Sequence, residues 1–194
     1  MNVSNNQSKI ISNTKLSVYQ MAAAALMTAV LCVLGPLSIP IGPVPISLTN
    51  FVIYITLYLL GTKLGTLSYC IYLLLGTAGL PIFSGYSGGL AKLAGPTGGY
   101  LVGFIAMSVI AGIFIQKNHG KTVMSVLGMI LGTLAAYAFG TIWFVFEAGC
   151  TIWYALTVCV FPFLIGDAVK ILIASKLGML IRAALQKAHL LDSI

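Results

Sequence analysis

Long apolar stretches broken by short polar or Gly/Pro-rich punctuation run through most of the chain. No charged residue occurs between Lys15 and Lys63, and Gly35-Pro36, Pro40, Pro43 and Pro45 divide that stretch. Proline lacks the amide donor and restricts the residue before it, so a helix does not run through this cluster. The pattern predicts helices over 17–34, 46–60 and 64–79, the last two joined by the turn Gly61-Thr62-Lys63. Residues 80–94 are glycine-rich, contain Lys92 and read as a loop. Further helices are expected over 97–115, 122–144 and 162–185, with Pro162 suited to a first helical turn. An apolar but short segment, 151–160, lies between the last two.

Composition sets the medium. Hydrophobic residues make up 59% of the 194 and charged residues 7%, with a mean hydropathy of +1.05. About a quarter of the residues of a soluble domain are charged, so this chain lacks the polar surface to face water on all sides. The reading is an all-α, polytopic membrane protein with six transmembrane helices. A 17–185 membrane domain lies between a 1–16 N-terminal tail and a 186–194 C-terminal tail, both cytoplasmic. A cleavable leader is the alternative for the first span, but the run is long for one and shows no small-x-small cleavage site.

The net charge of +7 is a topology signal, because the basic residues stand singly between apolar segments. With the N-terminus inside, Lys9, Lys15, Lys63, Lys117, Lys121, Lys176, Arg182 and Lys187 fall on or near the cytoplasmic side, leaving Lys92 in an outer loop. That is the asymmetry of the positive-inside rule, and the basic residues form no run suited to nucleic acid.

Small residues recur at four-residue spacing. Gly128, Gly132, Ala136 and Gly140 form one stripe, Gly95, Gly99 and Gly103 another, and Ala25 and Ala29 a shorter one. Such stripes let helices approach closely within lipid. Packing inside the bundle is the expectation for the first two, and docking of a separate membrane protein competes with it for Ala25 and Ala29.

Several chemistries are excluded. Gly120-Lys121-Thr122 lacks the leading glycine of a phosphate-binding loop, since Ile115 stands there. Cys32, Cys70, Cys150 and Cys159 have no metal-ligand spacing, and with one Glu and two Asp general acid–base work has few candidates. The chain reads as neither an enzyme nor a metal or cofactor protein.

Asp167 and Lys170 are charges within a span. Such residues are costly in the bilayer, so they normally face the protein interior and have partners. At i and i+3 they share a helix face and can pair. Two readings follow: a self-satisfied ion pair that locks packing, or the polar wall of an outward-opening pocket beneath the 80–94 loop. That loop holds Ser84-Gly85-Tyr86-Ser87-Gly88-Gly89 and leads into Gly95-Pro96-Thr97-Gly98-Gly99-Tyr100. Its glycines permit close backbone approach to a ligand, and Tyr86 and Tyr100 offer flat faces with polar tips. A shaped lid is favoured over a plain connector.

The run from Gly79 to Gly89, the segment Gly95 to Phe104, the segment Ile39 to Leu48 and Pro162-Phe163-Leu164-Ile165-Gly166-Asp167-Ala168-Val169-Lys170 closely resemble the BioY family. That family comprises the substrate-binding S components of energy-coupling factor (ECF) biotin transporters. The resemblance, which spans about Ala22 to Lys176, implies the six-helix ECF S-component fold in the cell membrane and capture of external biotin. It also implies assembly with a transmembrane T component and two cytoplasmic ATPases, with the small-residue surface of the first helix, Ala25 and Ala29 here, as the docking face. After Pro45-Ile46 this chain has Ser47-Leu48-Thr49-Asn50 where the family pattern is Thr-Leu-Gln-Thr, so the amide stands one position later, at Asn50. The expected biotin shell is Asp167, Lys170, Tyr86, Tyr100, Ser84, Gly88, Gly89, Thr97, Gly98 and Asn50. Asp167 would accept from the urea, Lys170 would donate to the urea oxygen or neutralise the valerate, and the tyrosines would pack on the rings. An S component for another vitamin, or a solitary or oligomeric facilitator, are the competing readings.

Overall fold

The computed structural model describes residues 17–118 and 122–187. The 1–16 tail, residues 119–121 of the fourth-to-fifth span turn and the 188–194 part of the C-terminal tail lie outside the described residues. What is described is mostly helical.

Helix α1 (Val18–Leu34) is started by a capping box. Ser17 Oγ accepts from the Gln20 amide at 3.1 Å and Gln20 Oε1 accepts from the Ser17 amide at 3.1 Å. It ends at Gly35-Pro36. Its buried residues Ala24, Met27, Thr28 and Leu31 recur at helical spacing. The chain then forms an unforeseen antiparallel hairpin of two short strands, β1 (Ser38–Ile39) and β2 (Ile46–Ser47), with Ser38 opposite Ser47. The second helix therefore starts three residues later than the sequence pattern suggests, because Ile46 and Ser47 are held extended by strand pairing.

The helical run α2 (Thr49–Thr77) is two helices that meet at Gly61, where φ is 71° and ψ is −174°. A Cβ on Gly65 would lie 3.4 Å from the Leu57 Cα. In a straight helix those two residues are about 12 Å apart along the axis, so the halves fold back on each other. The two expected spans are thus two helices joined at a glycine corner, with the turn closing at Gly61 itself. Gln116 Oε1 holds that corner, accepting from Thr62 Oγ1 at 2.8 Å and from the Thr62 amide at 3.3 Å. The second half packs on α1, where Ser68 Oγ donates to the Ala24 carbonyl at 3.1 Å and Thr28 Oγ1 to the Ser68 carbonyl at 3.2 Å.

Residues 79–97 are less of a free loop than the glycine content suggests. Phe83 is fully buried, edge-on to Tyr72 with ring centroids 5.6 Å apart. The Gly89 amide donates to the Gly76 carbonyl at 2.7 Å and the Gly85 amide to the Pro36 carbonyl at 3.0 Å. A short helix, α3 (Leu90–Ala94), replaces the expected loop at its end.

Helices α4 (Gly98–Lys117) and α5 (Thr122–Ala148) form the most extensive helix pair, and their small-residue stripes face each other. A Cβ on Gly103 would sit 3.1 Å from the Ala136 Cα, tighter than ordinary contact, so the two backbones approach closely there. The packing expectation for these two stripes holds. Helix α6 (Ile152–Cys159), capped by Thr151, joins α7 (Phe161–Lys187) across a 43° bend. The last helix starts one residue before Pro162 and ends two after Leu185.

Three helices, α2, α4 and α5, are long and apolar enough to cross a membrane. The bent α6–α7 pair makes a fourth if taken as one span, and α1 is a shorter apolar helix of 17 residues.

Candidate functional site

Asp167 and Lys170 lie one turn apart at the start of α7, facing inward. Asp167 is 6% exposed. The Lys170 ammonium donates to Asp167 Oδ1 at 3.0 Å, to the Ser47 carbonyl at 2.7 Å and to Asn50 Oδ1 at 3.2 Å. Asn50 Nδ2 donates to the same Oδ1 at 2.9 Å, and the Phe51 amide fixes the Asn50 side chain from its oxygen side at 3.0 Å. Tyr137 donates to Asp167 Oδ2 at 2.6 Å. An ammonium has three donors, and all three are engaged. One positive and one negative charge cancel, so the cluster is neutral overall while still presenting carboxylate and hydroxyl groups.

This cluster forms one wall of a narrow cavity of about 60 Å³. The other walls are mainly apolar: Val44, Leu101, Phe104, Met107, Ala136 and Phe163. Thr97 borders the same cavity at the N-terminus of α4, is 6% exposed, and its hydroxyl has no hydrogen-bond partner among the described residues. A helix N-terminus carries partial positive charge and favours anions. Polar ends around an apolar middle suit a small amphiphilic ligand.

Of the residues singled out from sequence, Asp167, Lys170, Asn50, Tyr100, Thr97 and Ser84 line this cavity. Tyr86, Gly88, Gly89 and Gly98 do not. Tyr86 is 65% exposed and takes φ 57° in the tight Phe83–Ser87 turn. A Cβ on Gly88 would collide with the Leu80 carbonyl, and one on Gly98 with the Leu93 carbonyl, so these glycines serve close backbone packing. Tyr100 does more than offer a face. Its ring occupies the space beside Gly140, and its hydroxyl donates to the Cys159 carbonyl at 2.9 Å, bracing the α6–α7 bend from which Asp167 projects.

Sequence reasoning missed Tyr137, Ser47 and Phe163. Tyr137 had a signal, a polar aromatic beside Ala136 within the small-residue stripe of α5. Ser47 contributes a main-chain carbonyl, which no side-chain pattern betrays.

The Tyr100 strut leads to a stability prediction. Gly140→Val places methyl groups where the Tyr100 ring lies, and overpacking of this kind costs about 1–3 kcal/mol. The thermal midpoint of the purified protein should fall by several degrees. Gly166→Ala, whose added Cβ meets nothing within 4 Å, should not lower it. Equal midpoints for the two variants would contradict this account of Tyr100.

Comparison with known proteins places these features in context. The family model described as the BioY family matches residues 7–187. The biotin transporter BioY of Thermotoga maritima is 36% identical over 160 residues, covering 82% of this chain and 94% of its own length. Biotin transporter BioY2 of Lactococcus lactis subsp. cremoris is 34% identical over 174 residues, covering 89% and 94%. The crystal structure of the S-component for biotin from an ECF-type ABC transporter superposes with a TM-score of 0.80 at 32% identity, covering 86% of this chain and 92% of its own.

Proposed function

The chain belongs to the BioY family, and from that premise we propose that it is the biotin-binding S component of an ECF-type vitamin uptake transporter. It is a substrate-binding transporter subunit, not an enzyme. The observation that carries the reading is the neutral Asp167–Lys170–Asn50–Tyr137 cluster set against an apolar cavity.

Biotin carries a cyclic urea, a sulfur ring and a valerate carboxylate. A urea both donates and accepts, as does a carboxylate beside an ammonium and an amide. The free lone pair of Asp167 Oδ2 accepts a urea N–H, a charge-assisted bond and therefore among the stronger kinds. Lys170 has no spare donor, so it holds Asp167, Asn50 and the Ser47 carbonyl in place and reaches the urea oxygen only by exchanging one of them. The ring system packs on Phe104, Phe163 and Tyr100. The valerate carboxylate lies toward the unpartnered Thr97 hydroxyl and the α4 N-terminus, with Ser84 nearby.

Six crossings, both termini cytoplasmic and the cavity facing outward, form the topology we propose in the cell membrane. The fold-back at Gly61 supports it, because the Thr49–Thr77 run is two helices that pack against each other there. The positive-inside distribution supports the orientation. The 79–97 segment covers the cavity mouth, and the buried Phe83 anchors it. Inward release depends on a T component and two ATPases, since a binding protein at equilibrium shifts populations but cannot pump.

The decisive measurement is mass spectrometry of small molecules that co-purify with the protein, followed by thermal unfolding with added biotin. Bound biotin and a raised thermal midpoint are expected, because a ligand that binds only the folded state stabilises it by mass action. No biotin and no shift would sink the proposal.

A further inference from the structure

Resting on the biotin reading, we infer that Tyr137 is a positioning residue that aims Asp167 at the ligand. Of the two carboxylate oxygens, Oδ1 is fully engaged by Asn50 Nδ2 at 2.9 Å and Lys170 Nζ at 3.0 Å. Only Oδ2 retains accepting capacity, and the Tyr137 hydroxyl, at 2.6 Å, fixes which way its other lone pair points.

The surroundings explain why such a device is needed here. Tyr137 and Asp167 border two spaces at once: the ligand cavity, and a separate apolar groove between α5 and α7 lined by Ile130, Leu134, Leu164 and Leu172. Leu134 and Leu172 are each more than half exposed, so this groove looks out on the bilayer. A carboxylate rotated toward it would face a lining that is apolar apart from Thr133, whose hydroxyl is already engaged, and a buried acceptor without a donor is costly. The Tyr137 hydroxyl closes that side and leaves the cavity side for the ligand. The backbone carrying Tyr137 is itself held: its neighbour Ala136 packs against Gly103, and Tyr100 fills the space beside Gly140 one turn later.

Thr133 shows that a place on this face of α5 does not by itself reach Asp167. It lies one turn earlier on α5 and borders the same two spaces, but its hydroxyl is engaged by Tyr54 at 2.6 Å and the Met129 carbonyl at 2.7 Å, away from Asp167.

The test is a double-mutant cycle on the full chain in detergent, read as biotin affinity. Tyr137→Phe should weaken binding about tenfold, about 1.4 kcal/mol. In an Asp167→Asn background the same change should alter affinity less than twofold, since a residue acting only through Asp167 has nothing left to position. A second readout needs no ligand: infrared difference spectra between the natural protein and Asp167→Asn identify the Asp167 carboxylate band, which should shift in Tyr137→Phe. An unshifted band overturns the inference, as does an equal loss in both backgrounds or a Tyr137→Phe protein that does not fold. If the natural protein binds no biotin, the biotin reading fails while the infrared result still decides the role of Tyr137.

Discussion

Lys170→Met should weaken biotin binding at least a hundredfold and lower the thermal midpoint more than the double replacement Asp167→Asn, Lys170→Met. Methionine keeps most of the length and removes the charge. The lost ammonium leaves Asp167 Oδ1, the Ser47 carbonyl and Asn50 Oδ1 each short of a donor. Removing one partner of a buried ion pair costs about 3–5 kcal/mol, because the remaining charge is left uncompensated. At about 1.4 kcal/mol per factor of ten, a hundredfold loss of affinity is about 2.8 kcal/mol, the share expected from an Asp167 no longer held in place for the ligand. With the ammonium gone, Oδ1 keeps only Asn50 and the carboxylate is no longer fixed in the orientation that accepts from a urea. The double variant has no buried charge to strand, so it should melt closer to the natural protein than the single one. Titration calorimetry and thermal unfolding read both effects. Affinity within threefold for Lys170→Met, or a double variant less stable than the single, would remove the ion pair from the centre of the site.

The second large effect concerns assembly. On the proposed assembly, Ala25→Trp and Ala29→Trp, made together, should abolish co-purification with the proposed T component and ATPases and reduce uptake to background. Biotin affinity should stay within twofold. Both alanines lie on the exposed face of α1, one turn apart, while the face toward the bundle is Ala24, Met27, Thr28 and Leu31. Indole groups on that outer face touch nothing inside the protein, so the cavity is spared. A neighbouring helix that needs close backbone approach across small residues is pushed away. Unchanged co-purification would mean that the partner docks elsewhere, and lost biotin binding would mean that α1 shapes the site.

Much of this site was legible because the signal was local. Asp167 and Lys170 are three residues apart within an apolar helix, and that spacing alone puts them on one face. Thr97 and Tyr100 could be picked out for the same kind of reason, as polar residues at a Gly/Pro helix start. Tyr86 was conspicuous for an equally local reason, yet a positive φ and the tight Phe83–Ser87 turn direct it to the surface. Gly88, Gly89 and Gly98 shape backbone contacts that only the folded 79–97 segment creates. Asn50 illustrates the opposite case, because its contacts to Asp167 and Lys170 span more than a hundred residues of sequence.

By itself, then, the sequence determined the medium, the helical class, the approximate position of the long helices, and the charged pair within a span. Those follow from hydropathy and from i, i+3 and i, i+4 spacing, which act over a few residues. Only the tertiary structure decided that Gly61 turns α2 back on itself, that the glycines of α4 and α5 interlock, and that Asn50, Tyr137 and the Ser47 carbonyl converge on Asp167 and Lys170. Those meetings depend on helix packing at contact distance and on main-chain groups that every residue carries. A linear pattern of side chains holds no record of either.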